Sequence, residues 1–126
     1  MSVNKVTLLG RVIKTPEIKV FESGSIALFT LVTDYPYNDP HTGERKKKTE
    51  FHKIVVKSSA VSFVQNYVQK GTILYCEGQL NSKKWNDDKG HTQYGYEIVI
   101  NAYGVIDIVA NGISNHDTNK FKNQVN

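Results

Sequence analysis

Along most of this chain apolar residues recur at every second position, the period of a strand with one face buried. Asn4 to Val12 places Val6 and Leu8 on one face, continuing through Gly10 and Val12, with Lys5, Thr7 and Leu9 on the other. A glycine inside such a run predicts a bulge or a close backbone approach at Gly10. Pro16 interrupts the pattern, and Glu17 to Phe21 resumes it as a short strand. Glu22-Ser23-Gly24 is a turn signal. Ser25 to Tyr35 then carries Ile26, Leu28, Thr30 and Val32 on one face and Ala27, Phe29, Leu31 and Thr33 on the other, so burial on both sides is expected. Tyr35 to Gly43 is rich in turn formers and predicts a loop that runs through the cations Arg45 to Lys48 into a strand at Thr49 to Lys57.

At Ser58 the period changes. Val61, Val64 and Val68 fall at helical spacing, with Phe63 and Tyr67 on a neighbouring face. Ser58 or Ser59 suits an N-cap and Gly71 a C-terminal stop, which predicts a helix over Ser58 to Lys70. Strands follow at Thr72 to Leu80 and Tyr94 to Tyr103. They are joined by a long hairpin tip, Asn81 to Gln93, that turns at Asp88-Lys89-Gly90. Asp107 to Val109 reads as a last short strand. Asn111 to Asn126 is polar and without period, so a domain over 1–110 and a short disordered tail over 111–126 are expected. Counting Asn4 to Phe21 as one bent strand, the order is three strands, a helix and two strands. An all-β, five-stranded Greek-key barrel with one helix between strands 3 and 4 and long hairpin loops is the OB-fold pattern. Other small barrels share that pattern.

Composition narrows the function classes. At 126 residues, 39% hydrophobic and 22% charged, the chain is long and apolar enough for one folded domain. It has no apolar run near the ~20 residues that span a bilayer. Its first residues resemble neither a signal nor a transit peptide. The single cysteine, Cys76, excludes an intrachain disulfide and suits a reducing compartment. A cytoplasmic location is expected, or the mitochondrial matrix if a transit peptide has been removed. The net charge of +4 favours an anionic partner without specifying one.

Catalytic and metal chemistry find little footing. His41, His52, His91 and Cys76 show no metal-ligand spacing, and there is no glycine-rich phosphate loop or nucleophile elbow. Asp87-Asp88 is an acid pair at a turn tip, where solvation is the expected state. Three aromatics, in contrast, stand among polar residues: Tyr37 in the first loop, Phe51 after the cationic run and Trp85 after Lys83-Lys84. A single stray surface aromatic is ordinary. Three beside lysines suit a surface on which nucleic-acid bases stack while lysines track the phosphates. His52, one residue from Phe51, points to the opposite face of its strand, where a structural or interface histidine is expected.

Five stretches carry a resemblance, in order, from Val3 to Ile108. They are Val3 to Val12, Pro16-Glu17, Thr49-Glu50-Phe51-His52-Lys53, Tyr67 to Gly71, and Tyr75 to Leu80 with Lys83-Lys84-Trp85. Together they resemble the bacterial and mitochondrial single-stranded DNA-binding proteins. The resemblance implies an OB-fold assembled as a homotetramer, with single-stranded DNA wrapped around it in replication, recombination and repair, and no enzymatic activity; no cofactor or metal is expected. It implies stacking at Tyr37 and Phe51, where the family usually has Trp, and at Trp85, which matches directly. It places His52 near the subunit interface. Lys5, Lys46, Lys47, Lys48, Lys53, Lys83 and Lys84 are the expected phosphate track. Two departures accompany it. A fourth family aromatic falls on Lys57, where a phosphate contact would replace a stacking contact. The family's acidic C-terminal tip is replaced by Asn119 to Asn126, which contains two lysines, so tail-mediated recruitment of replication enzymes is not expected. An RNA-binding or primosome-type OB module and a protein-interaction OB domain are the rival readings.

Overall fold

The computed structural model describes residues 1–111, all-β apart from one helix. In chain order these residues form β1 (Val6–Val12), β2 (Glu17–Phe21), β3 (Gly24–Asn38), β4 (Arg45–Val56), α1 (Ala60–Tyr67), β5 (Ile73–Asn86), β6 (Thr92–Ile100) and β7 (Val105–Ala110). Five of the strands close on themselves: β1 pairs with β3, β3 with β4, β4 with β6, β6 with β5, and β5 returns to β1. This ring is the expected five-stranded OB barrel. β2 is added outside it on β3, and β7 on β5. The first strand bends as the pattern around Pro16 implies: β1 joins β3 at Arg11 and Val12, while β2 joins it between Gly24 and Leu28.

The inward faces supply a continuous core of Val12, Ala27, Phe29, Leu31, Ile54, Val56, Leu74, Cys76, Ile98 and Ile100. Helix α1 covers one end through Val61 and Val64, with Val68 just beyond it. Gly10 is a close approach and not a bulge. A Cβ there would overlap the Val32 carbonyl oxygen, while β1 keeps unbroken register with β5 from Val6 to Arg11. The N-terminus is tied down by Asn4, whose side-chain amide donates to Leu80 O (2.8 Å) and accepts from Leu80 N (2.9 Å). The primary amide thereby substitutes for a strand partner at the point where β5 leaves the barrel.

Several expectations need correction. The outer face of β3 (Ile26, Leu28, Val32) is half-buried, whereas Ala27, Phe29 and Leu31 are fully covered. The helix ends at Tyr67, because Val68 is already extended, and Gly71 stands beyond it at φ +94°. Ser59 makes no side-chain capping bond; the first turn is closed by Val61 N donating to Ser58 O (3.2 Å). β6 ends at Ile100, and β7 is longer than expected. The largest difference concerns the two hairpins. Arg45–Lys48 and Lys83–Trp85 are strand and not loop, since β3 pairs with β4 out to Asn38↔Arg45 and β5 with β6 out to Asn86↔Thr92.

Candidate nucleic-acid interface

These long pairings make two arms. From Thr33↔Glu50 to Asn38↔Arg45 the β3–β4 ribbon runs for six pairs without a third strand, and from Asn81↔Glu97 to Asn86↔Thr92 the β5–β6 ribbon does the same. At ~3.4 Å per residue each arm reaches roughly 20 Å from the barrel. An aspartate builds each tip. Asp39 accepts from His41 N (2.8 Å), Thr42 N (3.2 Å) and Lys46 Nζ (2.8 Å). These donors favour the carboxylate and hold the Asp39 pKa below its ordinary value, the Lys46 bond contributing most. Asp87 accepts from Lys89 N (2.9 Å), His91 N (2.8 Å) and Gln93 Nε2 (3.2 Å). That is the structural role of one member of the acid pair at this turn.

Side chains directly opposed across an antiparallel pair share a face. In the β3–β4 ribbon Phe51 therefore shares a face with Val32, and with Lys53 and Thr30 one step further. This is the outer face of the barrel wall, and Phe51 is 67% exposed on it. His52 belongs to the inner set with Ile54 and Val56, is half-buried, and is hydrogen-bonded through Nε2 to Thr33 Oγ1 at 2.8 Å. Adjacent residues on one strand thus serve two surfaces. Tyr37 pairs with Lys46 and Tyr35 with Lys48, so by register both tyrosines lie on the opposite face of the ribbon from Phe51. The structure does not bring Tyr37 and Phe51 into one row.

On the second arm Trp85 pairs with Gln93 and Lys83 with Gly95. A Cβ on Gly95 would stand 3.1 Å from Trp85 Cη2 and 3.2 Å from Cζ3, so the six-membered edge of the indole occupies the space that a side chain would need. The indole is bedded on the neighbouring strand and still 45% exposed.

The expected phosphate track divides in two. Lys5 lies 2.9 Å from Glu77, Lys46 2.8 Å from Asp39, Lys47 3.9 Å from Asp34, Lys48 3.5 Å from Glu50 and Lys83 3.9 Å from Glu97. Glu77 also accepts from Tyr75 Oη; that bond first, then Lys5, holds the carboxyl below its ordinary pKa. Lys53 and Lys84 have no carboxylate partner among the described residues. Lys53 lines a groove of about 290 Å³ together with Lys14, Lys19, Glu17 and Thr30. The groove lies beside the Phe51 face, and three lysines against one glutamate make it cationic. Lys14 and Lys19 were not among the expected residues. The signal available for Lys19 is its alternation with Ile18 and Val20 on a short outer strand.

Tyr35, Tyr94 and Tyr96 were likewise not anticipated as surface aromatics. Each has an aromatic or apolar residue at i±2 (Tyr37 for Tyr35, Tyr96 for Tyr94, Tyr94 and Ile98 for Tyr96), so the polar surroundings that singled out Trp85 are missing.

Three comparisons place the chain among known proteins. Residues 3–106 match the model of the single-strand binding protein family. Single-stranded DNA-binding proteins of Rickettsia typhi and Rickettsia prowazekii are each 44% identical to it over 101 residues, a match covering 79% of this chain and 66% of each relative. The chain therefore spans just under two thirds of these relatives' length. Among solved structures, the Plasmodium falciparum SSB in complex with ssDNA is similar with a TM-score of 0.79 at 33% identity, covering 86% of this chain and 96% of that one.

Proposed function

From the premise that the chain belongs to the single-strand binding protein family, we propose that it binds single-stranded DNA without sequence preference and protects it during replication, recombination and repair. Binding involves no catalytic step. The observation that carries this reading is the Trp85 indole, fixed on Gly95 and open on its other side. A platform of this kind accepts any base, because every base has a π-face, and stacking contributes roughly 1–3 kcal/mol per base.

In this reading Phe51 is the second platform, and Tyr37 serves a strand passing the far side of the first arm. Lys53, with Lys14 and Lys19, leads phosphates away from Phe51. Lys57 takes a phosphate at the position where the family resemblance implies an aromatic. The paired lysines Lys5, Lys46, Lys47, Lys48 and Lys83 exchange a carboxylate for a phosphate at small cost, since exposed ion pairs are worth about 0–1 kcal/mol.

Assembly as a homotetramer of about 57 kDa, four times 14.2 kDa, belongs to the same proposal. His52 is then placed towards a neighbouring subunit, and the OB domain spans 1–110. The segment 111–126, of which all but Asn111 lies outside the described residues, is assigned no recruiting role. The protein works in the cytoplasm on the nucleoid. No helix among the described residues is long and apolar enough to cross a membrane.

Titration with oligo-dT, followed by Trp85 fluorescence at several salt concentrations, tests this reading. Quenching on single strands, weaker binding to duplex and a steep loss of affinity with salt are expected. Equal affinity for single and double strands, or no binding, overturns it, and preference for oligo-U over oligo-dT redirects it to RNA.

A further inference from the structure

The second arm has another side. Opposite the Trp85 face, register aligns Lys84 with Tyr94 and Ser82 with Tyr96. Tyr94 is 75% and Tyr96 70% exposed, two positions apart on one strand and so side by side on one face. Lys84 Nζ stands 5.9 Å from the centroid of the Tyr94 ring, a cation–π distance.

Charge separates the two sides. The Trp85 face includes Glu97, which lies 3.9 Å from Lys83, and the carboxylate of Asp87 reaches Gln93 on that face. The pairs of the Tyr94 face, from Leu80↔Ile98 to Asn86↔Thr92, contain no carboxylate, and its lysine has no acidic partner among the described residues. An aromatic ladder with an unneutralised cation and no acid fits a ligand that is flat and anionic at once.

We propose that the Lys84–Tyr94–Tyr96 face is a second stacking site for single-stranded DNA, so that the β5–β6 arm holds DNA on both sides. This extends the reading given above and rests on it. A strand that passes Trp85 and rounds the tip meets Tyr94 and then Tyr96 on its return, with Lys84 on the intervening phosphate. Tyrosines two residues apart on a strand stand about 7 Å apart, wide enough to admit a base between neighbouring rings.

Photo-crosslinking of the full chain with thymine oligomers carrying 5-iododeoxyuridine, with adducts mapped by mass spectrometry, tests the face directly. Adducts on Tyr94 or Tyr96 in addition to Phe51 or Trp85 are expected; adducts confined to Phe51 and Trp85 overturn the proposal. With poly-dT, the Tyr94→Ala/Tyr96→Ala variant should occlude fewer nucleotides per chain, and Tyr94→Phe/Tyr96→Phe should restore the length, because stacking needs the ring and not the hydroxyl. An unchanged occluded length overturns the proposal. So does a fall in assembly mass of the Ala variant by light scattering, which would make this face a contact between copies. Failure of the underlying reading is distinct: the unsubstituted protein would then show neither adducts nor Trp85 quenching.

Discussion

Trp85 rests on Gly95, its ring edge 3.1 Å from the point where a Cβ would stand. The contact joins two strands of one arm and sets how the indole is presented. A bulky residue at 95 cannot share that space, and the tryptophan has to lift. Gly95→Val should therefore leave the fold intact while shifting Trp85 emission and weakening oligo-dT binding by several-fold to tenfold, about 1 kcal/mol. Gly95→Ala should fall between the two, since its methyl asks the ring to move by only a few tenths of an ångström. Unchanged quenching in Gly95→Val would show that the ring's position does not matter.

Phe51→Ala should cost ~1–3 kcal/mol in single-strand binding, with little loss of stability, because the ring is largely exposed and shares its face with half-buried Val32. Phe51→Trp should bind at least as tightly as the unsubstituted chain. Isotherms with oligo-dT and a thermal melt separate the two effects. A fall in melting temperature without a fall in affinity would mark Phe51 as a packing residue.

Lysines already facing carboxylates should contribute less to salt dependence than those without such partners. Lys53→Ala and Lys84→Ala are expected to lower the slope of log K against log salt by close to one each, whereas Lys46→Ala, which removes the Asp39 partner, should change it less. Equal slopes for all three would mean that the ion pairs dissolve entirely on binding.

The thiol of Cys76 is pushed up to about 11, first by burial and then by the charge of Glu77. A neutral thiol is favoured in the fold, while the unfolded chain ionises near 9.0. Stability should thus fall as pH rises through this window, by at most ~2–3 kcal/mol from this group, and Tyr75, whose pKa is raised by its bond to Glu77, acts in the same direction. Denaturant melts at pH 8 and pH 10.5 measure the change, with Cys76→Ala showing a smaller one. Native protein at pH 8 should resist iodoacetamide, and reaction without unfolding would contradict the burial.

Asn4→Ala removes both hydrogen bonds to Leu80 and should destabilise by about 1–2 kcal/mol while leaving binding by the arms unaltered. An unaltered melting temperature would show that water replaces the amide.

The barrel was legible because its inward positions are hydrophobic at strict alternation: Ala27, Phe29 and Leu31 against Ile54 and Val56 can be read directly. The arms were not. Pro36, Lys46 to Lys48 and Asn81 to Lys84 have neither an apolar face nor strong β-propensity, and their strand geometry comes from cross-ribbon hydrogen bonds. Phe51 and Trp85 stood out because their neighbours are polar. Which lysines are neutralised was invisible, since Glu77 meets Lys5 and Glu97 meets Lys83 only through strand register. The separation of Tyr37 from Phe51 likewise depends on a pairing that extends past the expected loop boundary.

The barrel closes through the parallel contact of β4 with β6, which holds only Ile54↔Ile98, Val55↔Val99 and Val56↔Ile100. Both arms spring from this short seam, and past Ile54 and Ile98 no rung ties one to the other. Each arm is then a two-stranded ribbon held by its own pairing alone, a cantilever with its own root. A substitution in the three-pair seam therefore bears on the roots of both arms at once, whereas one further out bears on a single arm.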